Sequence, residues 1–201
     1  MLENCEFCEL NEEVLRECGG FSCKDEDITA FFTSEYADYA YQLLGKSYCF
    51  VENDTNRIVG AFSVSNSSVR ADLLPNSRRN KLNRNIPNVK RRSQYPAVLV
   101  GQLAVSRDYE GLHVGDELMD AIKSWFIEPL NKTGCRYIVV DALNHPKVFD
   151  FYKRNGFKFL FASGEEEYVF LHGRRNIKVV SDIQPMHTRL MYFDLILLRN
   201  E

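Results

Sequence analysis

Nowhere in this chain do 18 apolar residues follow one another, so no stretch of it spans a bilayer as a helix. Its opening residues, Met1-Leu2-Glu3-Asn4-Cys5-Glu6, are acidic and lack an apolar segment; a secretory signal is not expected, and the cytoplasm is the expected compartment. Two phosphate-loop signatures are missing as well, G-x-x-x-x-G-K-[ST] and G-x-G-x-x-G, which removes most of the support for nucleotide hydrolysis and dinucleotide-dependent redox chemistry. Repeats and low-complexity tracts are absent. Cysteine is not scarce, with six at positions 5, 8, 18, 23, 49 and 135, yet without an export signal disulfides are not expected. The pairs Cys5-x2-Cys8 and Cys18-x4-Cys23 approach zinc spacing only loosely, and they flank residues that read as strand and short helix, so no metal is expected.

What remains is an ordinary globular composition. At 201 residues, 45% hydrophobic and 26% charged, the chain suits one domain over 1–201 with a substantial core. Its organising stretch runs from Pro96 to Asp141. Ala97 to Val105 is an almost unbroken apolar run of the kind that suits a strand covered on both faces. Tyr109-Glu110-Gly111-Leu112-His113-Val114-Gly115 follows as a short loop, and then Val114, Leu118, Met119, Ile122 and Phe126 recur at helical spacing. After a polar break at 129–134, Tyr137-Ile138-Val139-Val140 reads as a second buried strand, completing a βαβ crossover. A loop between a buried strand and a helix N-terminus points backbone N–H groups outward together, where the helix dipole adds positive charge; such a site favours phosphate.

Upstream, residues 3–9 suggest a strand and 11–18 a short helix ending at Gly19-Gly20. Ser22 to Asp27 supplies an acidic helix start, and Ile28, Phe31, Phe32, Tyr36, Tyr39, Ala40 and Leu43 continue as one amphipathic helix. Ser47–Glu52 and Ile58–Val64 form a hairpin around Asn53-Asp54-Thr55-Asn56. Between Arg70 and Arg92 eight basic residues face one acid, Asp72, a local charge of +7 in a chain whose net charge is −3. Pro75, Pro87 and several Asn make this segment, about 74–95, mostly loop. Such a basic loop suits a polyanion, RNA among them, with Arg78, Arg79, Arg91 and Arg92 as the candidate contacts; it equally suits a loop kept soluble by charge. Downstream, Pro146 to Asn155 reads as a helix ended by Gly156. Phe157–Phe161 and Tyr168–Leu171 read as strand pieces, 174–185 as a polar loop and Arg189–Leu198 as a closing strand.

The 96–141 stretch, with Asn144 and Phe151-Tyr152-Lys153-Arg154-Asn155-Gly156-Phe157, resembles the GNAT superfamily of acetyl-CoA-dependent N-acetyltransferases, over residues 23–199. The family's loop pattern is Q/R-x-x-G-x-G/A before a helix; aligned on Tyr109 and Gly115, Glu110 stands in place of Gln or Arg and His113 in place of Gly. Phe21-Ser22-Cys23-Lys24, Gly45 and Ile58-Val59-Gly60-Ala61-Phe62 look like the branch that includes toxins acetylating the α-amine of aminoacyl-tRNA.

The resemblance implies an α/β (α+β) GNAT fold: a mixed central sheet of six to seven strands, flanked by helices and splayed between strands four and five. It implies acetyl-CoA as co-substrate, held by Glu110, Gly111, Leu112, His113, Val114, Gly115 and Asp116 at its pyrophosphate, with the backbone of Leu103, Ala104 and Val105 near the acetyl carbonyl. Asn144 would contact the pantetheine arm, although it precedes Tyr152 by eight residues where the family has seven, and Tyr152 would protonate the departing thiolate. Asp141 and His145 are the weak candidates for a base. The acceptor stays open between aminoacyl-tRNA and a small amine or peptide N-terminus, the loop differences leave room for a non-catalytic acyl-CoA-binding module, and GNAT proteins often form homodimers.

Overall fold

The computed structural model describes residues 1–173 and 185–199. Seven strands, β1 (Cys5–Glu9), β2 (Lys46–Glu52), β3 (Arg57–Arg70), β4 (Gln94–Val105), β5 (Tyr137–Leu143), β6 (Lys158–Phe159) and β7 (Thr188–Asp194), make one sheet in the order β1-β2-β3-β4-β5-β7-β6. β1 to β3 are antiparallel neighbours, β4 and β5 run parallel, and β7 is antiparallel to both β5 and β6. This is the mixed sheet of six to seven strands that the resemblance implies. Seven α-helices accompany it among the described residues: α1 (Glu12–Glu17), α2 (Glu26–Ala30), α3 (Tyr36–Tyr41), α4 (Asn76–Leu82), α5 (Val114–Ile127), α6 (Pro146–Arg154) and α7 (Gly164–His172). By contact density the chain groups into two compact units, 1–66 with 99–125 and 67–98 with 126–201, so β3 and β4 contribute residues to both.

In the first unit, α1 starts where the Asn11 side chain accepts from the Val14 N–H and ends at Gly19 and Gly20, whose φ of 72° and 88° suit residues without a Cβ. Asp25 caps α2 in the same way, accepting from Asp27 and Ile28. The single helix expected over 28–43 is instead interrupted by a wider π turn at Phe31–Glu35. There Thr33 and Ser34 hydroxyls each donate to a carbonyl of the preceding turn, Thr29 O and Ala30 O at 2.8 Å, competing with the backbone ladder. Phe31, Phe32 and Tyr36 all reach the core around this turn, where they pack with Phe21, Cys49, Ile58 and Ala61. Burial of each such side chain contributes about 1.5–3 kcal/mol. A Cβ on Gly60 would stand 2.5 Å from Leu118 Cδ1, so glycine is what lets α5 close onto β3. The cysteines are free thiols; Cys8 and Cys49 face each other across β1 and β2 with sulfurs 3.6 Å apart, and burial pushes both thiols up. No group of three or more His, Cys, Asp or Glu among the described residues is placed to hold a metal, and no helix among them is long and apolar enough to cross a membrane.

In the second unit, Tyr137 to Val140 are buried as a two-sided strand should be, and Tyr137 donates its hydroxyl to Leu82 O at 2.9 Å. Three expectations change here. Residues 76–85 are helical rather than loop: α4 leads into a short 3-10 turn at Asn83–Asn85, held by Tyr137, by Tyr95 donating to Asn83 Oδ1 at 2.7 Å and by burial of Leu82 and Ile86. Tyr168–Leu171 lies in a helix, not a strand. Ser163 caps α7 by accepting from Glu166 N–H, Glu166 reaches back to Ala162 N–H, and buried Glu167 binds Arg189 and the Leu190 N–H at 2.6 Å each. The closing strand ends at Asp194, and Leu195–Arg199 turn into a 3-10 helix. The expected loop at 174–185 lies, except for Pro185, outside the described residues.

Candidate functional site

The loop after β4 is anchored on both sides before it becomes exposed. Ser106 N–H donates to Val59 O, Arg107 binds Ser22 O through its backbone N–H and Cys23 O through its guanidinium, and buried Tyr109 donates its hydroxyl to Glu52 at 2.8 Å. Glu110, Gly111, Leu112 and His113 then stand exposed, and the 14-residue α5 begins at Val114. Among the described residues the five consecutive N–H groups from Gly111 to Gly115 donate to no acceptor, whereas Asp116 N–H already bonds His113 O at 3.1 Å. A row of unsatisfied donors at the positive end of a helix dipole is an anion seat. Gly111 sits at φ 78° and His113 at φ 60°. His113 therefore occupies a left-handed position, the conformation for which the family carries glycine there.

That position yields a prediction. His113→Gly removes a left-handed strain of about 1–2 kcal/mol against a glycine entropy cost of about 0.5–1. The variant should melt at least as high as the parent, by up to roughly 2–4 °C, and bind acetyl-CoA no more weakly; thermal unfolding and calorimetry read both. A lower melting point would mean that the imidazole makes a stabilising contact that outweighs its backbone.

The charge around the N–H row is mixed. Asp116 lies 3.6 Å from His113 Nδ1. Glu117 is held by the Met1 ammonium and the Leu2 N–H, both at 2.9 Å; the backbone hydrogen bond first, and then the ammonium, keep its carboxyl below the usual range. Glu110 is exposed. Of the β4 residues implicated near the acetyl carbonyl, Ala104 is buried in the core of this unit, while Leu103 and Val105 are half-buried; the preceding Gln102 N–H is taken by the Ser63 hydroxyl at 2.9 Å.

Asn144, Tyr152, Asp141 and His145 belong to the second unit. Asn144 follows β5, its backbone N–H donating to His187 O and its side-chain NH2 to Met186 O at 2.8 Å. His145 caps α6, its Nδ1 accepting from Lys147 N–H at 3.3 Å, so its ring has a structural task rather than a free basic nitrogen at that position. The Asp141 carboxyl is pushed up by partial desolvation. Tyr152 lies in the second turn of α6, half-buried between the rings of Phe151 and Phe157 at 5.1 and 5.4 Å. Its hydroxyl makes no hydrogen bond among the described residues, and desolvation pushes its phenol up to about 12.

The four arginines singled out in the basic segment divide. Arg78 turns inward, 17% exposed, with Nε 3.6 Å from Glu166, and Arg79 donates to the Asn76 side chain; Arg91 and Arg92 are exposed. Lys81 and Arg84, not singled out above, gather instead at a pocket with Lys158. Their three-residue spacing was a signal once 76–85 is read as helical.

Residues 45–159 match the acetyltransferase (GNAT) domain family. A curated relative, the tRNA-acetylating toxin of Mycobacterium tuberculosis, is 29% identical over 135 residues, covering 63% of this chain and 75% of its own length. Two solved structures share the fold at 18% identity with 98% of each chain covered: AtaT complexed with acetyl-methionyl-tRNAfMet, at a TM-score of 0.63, and AtaTR bound with AcCoA, at 0.62. With more than half its length matched to the domain, the chain belongs to the GNAT family of acetyltransferases, enzymes that take their acetyl group from acetyl-CoA.

Proposed function

We propose that this chain acetylates the α-amine of an aminoacyl-tRNA by direct attack on acetyl-CoA. The observation that carries the reading is the row of five unsatisfied N–H groups from Gly111 to Gly115, which suits the pyrophosphate of the donor. Asp116 and Glu110 oppose an anion there, and the ammonium partner of Glu117 reduces its opposition. The amine lone pair attacks the thioester carbonyl, a C–N bond forms, the C–S bond breaks, and the sulfur takes a proton. Tyr152 suits the last step: its phenol, raised to about 12, keeps its proton at neutral pH, and its hydroxyl has no competing partner among the described residues; because a thiolate is a weaker base than this phenolate, the proton moves as the C–S bond breaks and the phenolate is reprotonated from solvent. Fixing donor and acceptor together supplies much of the remaining rate. The amine's own proton passes to water, since the α-amine of an aminoacyl ester is less basic than a lysine and so is neutral in part at neutral pH; Asp141, its carboxyl raised by desolvation, is the weaker alternative.

The acceptor class is supported by the tRNA-acetylating relative and by the excess positive charge of residues 70–92. A second copy of the chain as partner rests on the family resemblance alone. Incubating the protein with acetyl-CoA and bulk aminoacylated tRNA, then digesting to nucleosides, should release N-acetyl-aminoacyl adenosine detectable by mass spectrometry. Acetyl-CoA hydrolysis or peptide acetylation without that product would move the acceptor to small amines or peptide N-termini.

A further inference from the structure

In the second unit, Lys81 at the end of α4 and Arg84 in the following 3-10 turn lie three residues apart, and β6 brings Lys158 to the same hollow. The hollow is a pocket of about 260 Å³ with Leu82 and Tyr192 among its walls. Asp194 is the carboxylate in its lining, and that charge is already matched. Arg136 Nε stands 2.6 Å from one carboxylate oxygen, its Nη2 donates to the other at 3.1 Å, and Asn85 donates at 3.4 Å. Lys81, Arg84 and Lys158, by contrast, have no ion pair and no hydrogen bond among the described residues. Three exposed cations without a carboxylate partner thus line one pocket, an arrangement that an anion would offset.

We propose that this pocket seats the phosphate of a nucleotide. A phosphate monoester offers three non-bridging oxygens against the two of a carboxylate and so can serve three cations at once, whereas a backbone diester offers two. The volume admits a single nucleotide unit rather than a duplex. Lys90, Arg91 and Arg92 follow in the same connection and are exposed, which suits the further phosphates of an RNA strand leading away from the seat. A nucleotide in RNA and a free mononucleotide share this chemistry, and the test separates them. The pocket also lies at the Tyr137 and Asp194 end of the paired strands β5 and β7, whereas Asn144 follows Leu143 at the other end. Six residues of extended chain between these ends span about 20 Å, so within this unit the seat is remote from the pantetheine-side residue. Occupancy of the pocket does not depend on acetyl transfer or on the acceptor proposed above.

The experiment uses the full chain and deacylated tRNA, which cannot be acetylated. The triple variant Lys81→Gln, Arg84→Gln, Lys158→Gln should bind at least tenfold more weakly at 100 mM salt, and the slope of log K against log salt should fall by about 1–2. Its acetyl-CoA dissociation constant and melting temperature should be preserved or, for the latter, raised as the repulsion is relieved. Arg84→Glu alone, at an exposed position, should reproduce the direction of the effect. AMP binding directly to the wild-type protein but not to the triple variant, with tRNA affinity unchanged in the variant, would support the same seat with a free nucleotide as its occupant. Unchanged affinity and slope for both RNA and AMP would overturn the proposal. So would a triple variant that loses only a poly-glutamate ligand, because the pocket would then serve an acidic protein segment.

Discussion

Tyr152→Phe is expected to lower kcat by about 10²- to 10³-fold while the acetyl-CoA dissociation constant stays within a factor of two, because the change removes only the hydroxyl and almost no surface. The size follows from general acid catalysis, where a positioned proton donor contributes about 3–4 kcal/mol to the barrier. The phenol's neighbours are the Phe151 and Phe157 rings, which a phenylalanine satisfies as well as a tyrosine, so stability should hold. The pH dependence has a definite sign. With its pKa raised to about 12 by desolvation, Tyr152 stays protonated through the working range, and the alkaline loss of turnover should fall above pH 10 rather than near it. The same shift affects folding: an unfolded tyrosine ionises near 10, so between about pH 10 and 12 the unfolded state binds fewer protons than the folded one and stability declines as pH rises. A variant whose kcat is unchanged, measured under acetyl-CoA saturation, would remove Tyr152 from the proton transfer and leave its position a matter of packing.

Where the sequence was a reliable guide, one physical signal dominated. The runs 97–105 and 137–140 read correctly as strands, because two-sided burial needs unbroken apolar residues, and α5 was legible from its 3.6-residue apolar spacing. Errors gathered where tertiary contacts outvote local pattern. α4 has no side-chain cap and a polar surface; it is held by a tyrosine hydroxyl from β5, 55 residues away. α7 did carry a local signal, Ser163 followed three residues later by Glu166, but the aromatic and β-branched residues after it imitate a strand. The π turn at 31–35 depends on where Thr33 and Ser34 place their hydroxyls, which periodicity does not encode. The candidate site divides in the same way. The succession of strand, glycine-bearing loop and helix was readable, and the structure has it in that order. That His113 adopts φ 60° without being glycine, that His145 is a cap and that Arg78 is spent on Glu166 are facts of geometry.

Gly115→Trp tests the loop directly, and its expected outcome is loss of measurable acetyl-CoA binding, at least a hundredfold, in a protein that remains folded. Gly115 is the second residue of α5, partly exposed, and its φ is not positive, so an L side chain fits the backbone. Tryptophan has a higher helix propensity than glycine and should not unfold the first turn. What the indole does is occupy the space in front of the N–H row, where two phosphates would have to approach within hydrogen-bonding distance of the backbone. The loss should therefore be steric and complete, unlike neutralisation of a nearby charge, which would weaken binding only by an amount that salt can screen. Calorimetry with acetyl-CoA, alongside far-UV circular dichroism and thermal unfolding, distinguishes the two. If the variant binds with the parent's dissociation constant, the unsatisfied N–H groups of Gly111 to Gly115 do not meet the pyrophosphate. The donor would then have to be held elsewhere along the chain, and the left-handed His113 would lose its explanation as a residue of the phosphate loop.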